Sequence, residues 1–146
     1  MLLTLDLLAG TALLMLLGLA GLVVRRRWLS RGGGTFDCSL RRTPSGRGLG
    51  WALGLARYRD DALEWYRVFS FAPRPRHVLR RGDLRVRQRR RPGGPEALAV
   101  QAGAVVLECL ERGRPVELAM SDRAVTGFLS WLESAPPGRH LDAALS

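Results

Sequence analysis

Eighteen consecutive uncharged residues, 7–24 (LLAGTALLMLLGLAGLVV), constrain this chain more than any motif in it. Asp6 is the only charge before the run; Arg25, Arg26 and Arg27 follow it directly, with Trp28 and Arg31 just beyond. As an α-helix rising about 1.5 Å per residue, residues 2–24 span roughly 30 Å, the thickness of a bilayer's hydrocarbon core. A cleaved signal peptide would carry its positive charge before the apolar run and a small-x-small site after it. Here an acid precedes, arginines follow, and no such site comes after Val24. The pattern predicts an uncleaved transmembrane anchor over residues 1–24. The excess of arginine after the run predicts a single-pass plasma-membrane protein with its N-terminus outside and its C-terminal domain in the cytoplasm. Arg25, Arg26, Arg27 and Trp28 are then the membrane-interface residues. For Trp28 an interfacial belt and an ordinary apolar position in a linker both stay open.

A basic, glycine-containing linker (25–34) should lead to one soluble domain (35–138) and a flexible tail (139–146). About 110 residues beyond the linker suffice for one core and not for two. Charge is unevenly distributed. Residues 25–91 hold 19 arginines against five acids, a net +14, whereas residues 92–146 hold four against seven, a net −3. All 23 basic residues are arginine, a bias that fits a GC-rich genome better than a demand for guanidinium chemistry at every site. A basic half beside a membrane suits anionic lipid headgroups or nucleic acid. The tether favours lipid. Cys38 and Cys109 are the only cysteines, and in a cytoplasmic domain they should be reduced core thiols.

After the glycines the apolar period is two. Phe36, Cys38 and Leu40 alternate with polar residues, and Trp51, Leu53 and Leu55 share a face. Residues 63–71 (LEWYRVFSF) read as one strand, with Asp60 and Asp61 as the hairpin turn before it. Leu84 and Val86 alternate with arginines, residues 98–100 form a short strand candidate, 104–110 suit a buried strand, and Val116, Leu118 and Met120 alternate again. From Ser121, a good N-cap, the period lengthens: Ala124, Val125, Phe128, Leu129 and Leu132 mark one helix face, ended by Pro136 and Pro137. The expected fold is therefore an N-terminal transmembrane helix followed by a β-rich α+β domain. That domain has about seven antiparallel strands and one C-terminal helix, the layout of a pleckstrin-homology-like barrel.

The segments GGGTFDCSLR (32–41), GWALGLARY (50–58), LEWYRVFS (63–70), RPRHVLRRGDL (74–84) and ELAMSDRAVTGFLSWLESAPPG (117–138) join rare Trp, Phe and Cys positions to fixed neighbours. In these the chain resembles an actinobacterial family of small single-pass membrane proteins, the domain of unknown function 2550 family. The resemblance covers nearly the whole chain, anchor included, and implies no activity.

No catalytic constellation is visible, and no enzyme activity or cofactor is expected. His77 and His140 lack metal-ligand spacing with each other or with the cysteines, so no metal is expected. Cys38 is followed six residues later by Pro44, where a phosphatase loop needs arginine. Arg81-Gly82-Asp83 reads as a turn. Two basic clusters remain as candidate sites for anionic lipid or phosphate. One is the loop carrying Arg41, Arg42 and Arg47, with Thr43 between them as a possible phosphorylation site. The other is the stripe Arg85, Arg87 and Arg89, alternating on one strand face and running into Arg90 and Arg91. Each has a plainer reading, as a solvated turn and as a protected edge strand. The expected function is a membrane-tethered cytoplasmic binding or scaffold module whose partners are membrane lipids or an acidic protein. An enzyme acting on a lipid or envelope precursor and a membrane-held nucleic-acid-binding domain are the alternatives. Nucleic acid is disfavoured because no recognition helix or aromatic RNA-binding signature is present. The sequence leaves the oligomeric state open.

Overall fold

The computed structural model describes residues 1–30, 34–42 and 49–134. Two compact units result, Met1–Gly33 and Gly34–Ser146. The first is one helix, α1 (Leu2–Ser30). It continues past Val24 through all three arginines, which are good helix formers, and Arg27 in its last turn suits the negative end of the helix dipole. Within it Leu3–Arg27 is long and apolar enough to cross a membrane, and none of that stretch is buried against protein. A helix apolar on every side has no water-facing stripe.

The described residues of the second unit form seven strands: β1 (Thr35–Arg41), β2 (Gly54–Arg59), β3 (Ala62–Arg67), β4 (His77–Arg80), β5 (Leu84–Arg90), β6 (Val105–Glu111) and β7 (Arg114–Met120). Two short helical pieces interrupt them, a 3-10 turn at Arg81–Asp83 and α2 (Pro95–Ala99), and α3 (Asp122–Glu133) ends the described part. The order is β4-β3-β2-β1-β7-β6-β5, antiparallel throughout. Strand β1 joins the halves. Its first residues pair with β2, and Cys38 to Arg41 pair with β7. Two antiparallel meanders meeting at β1 and β7, with one C-terminal helix, are the expected pleckstrin-homology-like layout.

Inward-facing residues of both meanders, among them Leu63, Trp65, Leu107, Leu118 and Met120, form the core, and Val125 and Phe128 of α3 pack into it. Ser121 caps α3 by accepting from the Ala124 amide at 3.2 Å. Arg112 and Gly113 both have positive φ (49° and 79°), as a two-residue turn joining β6 to β7 requires. Arg81 holds the 3-10 turn in place. It donates to the Trp131 carbonyl at 3.2 Å and the Asp60 carbonyl at 3.2 Å, with its guanidinium 5.1 Å from the Trp131 ring.

Three strand assignments change. Residues 98–100 are not a strand: Pro95 starts α2 at a position that needs no amide donor, and the seventh strand is β4 instead. Strand β3 stops at Arg67, so Phe69 and Phe71 are exposed (74% and 68%) rather than buried in a longer strand. Ahead of β2, Leu53 is 41% exposed while Leu55 is buried, so Trp51, Leu53 and Leu55 do not share one environment. The 139–146 tail, Pro136 and Pro137 lie outside the described residues.

Candidate functional site

A cleft of about 290 Å³ opens where β1 ends, β3 ends and β4 begins. Arg42, Arg67, Arg76 and His77 line it, with Leu40 and Trp65 as its apolar part. Trp65 is fixed from several sides. Its Nε1 donates to the Cys38 carbonyl at 2.7 Å, and Gly54 leaves the space its ring fills. The Arg76 amide donates to the Trp65 carbonyl at 2.8 Å, which places the start of β4 beside the indole.

His77 is the electrostatic reporter of this cleft. Its ring lies 5.6 Å from that of Trp65, and its Nδ1 is 3.0 Å from Nη1 of Arg42. A guanidinium only donates, so Nδ1 accepts and a neutral ring carries its proton on Nε2. Burial lowers the His77 pKa below its usual 6.5, and the charges of Arg42 and Arg76 lower it further. Arg42 also pairs with Glu111 at 3.0 Å. A second cleft of about 300 Å³, lined by Arg42, Glu111, Arg112 and Arg114, shares Arg42 with the first.

Arg41 is placed elsewhere. On the outer face of β1, β7 and β6 it is 7% exposed, hydrogen-bonded to Glu117, and 3.2 Å from Glu96. Arg90 completes the cluster, reaching Glu96 at 2.5 Å, Glu117 at 2.8 Å and Glu108 at 2.8 Å. Trp51 closes it, donating to Glu96 at 3.2 Å with its ring 4.9 Å from the Arg41 guanidinium. For Glu96 the hydrogen bond from Arg90 outweighs burial and holds the carboxyl below its usual pKa. Burial pushes the Glu117 carboxyl up, but the bonds from Arg41 and Arg90 bring it below the usual value. Arg41 and Arg90 thus each face carboxylates of the protein itself.

The arginine stripe is also broken. Strand β5 carries a bulge between Val86 and Gln88. Arg85 stands opposite Leu110, whereas Arg89 stands opposite core residue Leu107, so the two lie on opposite faces of the sheet. Arg89 pairs with Asp122 at 2.5 Å in the first turn of α3. Arg85, Arg87 and Arg91 are exposed. Arg25, Arg26 and Arg27 lie on α1, as does the backbone of Trp28. Arg47 and Thr43 lie outside the described residues.

Of the described arginines singled out in the sequence, only Arg42 lines the His77 cleft. Arg67, Arg76 and His77 were missed because β3 was read through to Phe71. The usable signal was the R-P-R-H run before β4, where Pro73 and Pro75 interrupt any strand. Both thiols are core groups. Burial pushes the Cys109 thiol up to about 12 and the Cys38 thiol higher still, the nearby Cys109 adding to it. Among the described residues no group of three or more His, Cys, Asp or Glu could hold a metal ion.

A family model described as a protein of unknown function (DUF2550) matches residues 12–138. An uncharacterized protein of Mycobacterium leprae (strain TN) is 37% identical over 132 residues, which cover 87% of this chain and 89% of its relative. An uncharacterized protein of Mycobacterium tuberculosis (strain ATCC 25618 / H37Rv) matches with the same figures. Among solved structures, the tandem PX-PH domains of Bem3 from Saccharomyces cerevisiae are similar at a TM-score of 0.44 and 13% identity, over 66% of this chain and 40% of that one.

Proposed function

The chain belongs to the DUF2550 family, and we propose that it is a membrane-tethered binding module whose His77 cleft takes a phosphate-bearing group. The observation that carries this is the cleft lining, in which three arginines and a histidine converge beside one apolar wall. Guanidinium groups bind phosphate oxygens in pairs, and several around one opening suit a dianion better than a single carboxylate. Burial lowers the His77 pKa first, and the further lowering by the charges of Arg42 and Arg76 reflects the same positive field. The phosphate can belong to a lipid headgroup or to a soluble partner such as a phosphorylated acidic protein. We further propose that α1 crosses the plasma membrane with the soluble unit on the cytoplasmic side, supported by Arg25, Arg26 and Arg27 directly after the apolar run. We propose binding rather than turnover as its role; both thiols are buried in the core.

The test uses the full chain in single-chain nanodiscs and reads the His77 ring by NMR, assigned with His77→Gln. One arm adds inorganic pyrophosphate to phosphatidylcholine discs; the other replaces part of the lipid with phosphatidylglycerol. A shift of the His77 resonances in the first arm identifies soluble phosphate, and in the second only, a lipid headgroup. Arg67→Glu with Arg76→Glu should remove it. No His77 response in either arm overturns the reading.

A further inference from the structure

The connection from β3 to β4 runs from residue 68 to residue 76. Its base is pinned by two backbone hydrogen bonds, Val68 amide to Leu53 carbonyl at 3.0 Å and Arg76 amide to Trp65 carbonyl at 2.8 Å. Between them the chain presents Phe69 and Phe71, 74% and 68% exposed. Arg67, Arg74 and Arg76 flank the pair, and no acid occurs from residue 65 to residue 82. Exposing two phenylalanines costs solubility and gives the core nothing, because the β3 side chains that build it end before this loop.

We infer that Phe69 and Phe71 insert into the interfacial region of the bilayer that holds α1, with Arg67, Arg74 and Arg76 at the level of its anionic headgroups. The inference rests on the tethered reading above and goes beyond it by assigning a second, peripheral membrane contact. Three features favour lipid as the occupant. Charge complementarity is one: an acid-free, arginine-flanked loop is attracted to anionic headgroups. The side-chain pattern is the second, since aromatic rings between arginines match a surface that is apolar below and negative above. The third is the tether. Four residues separate the end of α1 from the start of β1, so the unit works at a high local concentration of membrane surface. Insertion would present the adjacent His77 cleft, which shares Arg67 and Arg76 with this loop, at headgroup depth.

The experiment is depth measurement on the full chain. Phe69→Cys and Phe71→Cys are made singly and labelled with a polarity-sensitive fluorophore. Cys38 and Cys109 are 0% and 2% exposed, so the introduced thiol is the reactive one. Leu98→Cys on α2, at a position 91% exposed, serves as the solvent control. In single-chain nanodiscs containing phosphatidylglycerol, brominated lipids should quench the labels at 69 and 71 at least threefold more than the label at 98. Neutral discs should reduce that difference. Labels at 69 and 71 that are quenched no more than at 98 overturn the proposal. So does shielding that appears only when two chains share a disc, because the occupant is then a second copy. A chain that does not enter discs overturns the tethered reading together with this one. Since phosphate binding is read at His77 and insertion at Phe69 and Phe71, the two can fail separately.

Discussion

A Cβ placed on Gly54 would lie 2.3 Å from Cε2 of Trp65, so the indole occupies the space that any other residue at position 54 would need. Trp65 is 1% exposed, belongs to the core and lines the His77 cleft. Gly54→Ala must therefore displace a ring that is also held by the Cys38 carbonyl. The expected cost is roughly 1–3 kcal/mol, the range for overpacking a core. Gly82→Ala, where a Cβ meets nothing within 4 Å, should stay within about 0.5 kcal/mol. Urea unfolding of the two variants checks both values. Equal midpoints would show that the ring is free to move.

The carboxylates around Arg41 set the acid limit of the fold. Glu96 and Glu117 have folded pKa values below the ordinary 4.5, so folding favours their charged forms. Their stabilising contribution is complete above pH 4.5 and is lost as pH falls from there toward the lowered values. Glu117→Ala removes a partner of both Arg41 and Arg90. It should cost about 3–5 kcal/mol, the scale for breaking a buried pair and leaving a charge behind. The variant should also show a shallower stability loss between pH 5 and 3. Arg41→Glu should unfold the domain rather than detach it from lipid, which circular dichroism separates from a vesicle-binding defect.

Legibility divides along periodicity. Strands β1 and β7 and helix α3 could be read because their apolar residues keep a period of two, or of three to four, and β6 because residues 104–110 form an apolar run of buried-strand length. The end of β3 could not. Residues 69–71 continue the aromatic composition of the strand after its last backbone bond, from the Val68 amide to the Leu53 carbonyl. Strand β4 escaped notice because four residues, only one of them buried, carry too little pattern. The arginines divided differently. A sequence shows where charge lies but not which carboxylates, far along the chain, will meet it. Arg41 and Glu117 are 76 residues apart. One bulged residue in β5 was enough to turn an apparent stripe into two faces.

Topology is open to a direct test. With α1 crossing the membrane and its arginines inside, a reporter active only in the cytoplasm and fused after Ser146 should be active. The mature chain should retain residues 1–24 by mass and should resist alkaline carbonate extraction. Soluble protein starting near residue 25 in the medium would mean that the apolar run is a leader rather than an anchor.

The His77 cleft should bind its anion more tightly as pH falls. In the free protein His77 is neutral at pH 7, since its pKa lies below 6.5 and its Nδ1 accepts from Arg42. Two of the causes of that depression are the charges of Arg42 and Arg76. A bound phosphate opposes both charges and so raises the His77 pKa. Linkage then requires proton uptake on binding, and the affinity must rise as pH drops through the pKa of the bound form. A bound pKa one unit above the free one corresponds to about tenfold tighter binding once pH is below both values. The phosphate's own protonation near pH 6 works in the opposite direction, so a sulfate probe, which stays fully ionised over this range, isolates the histidine. His77→Gln should keep the binding and lose its pH dependence. An affinity for such a probe that is flat from pH 7.5 to 5 in the native chain would show that His77 does not sense the ligand.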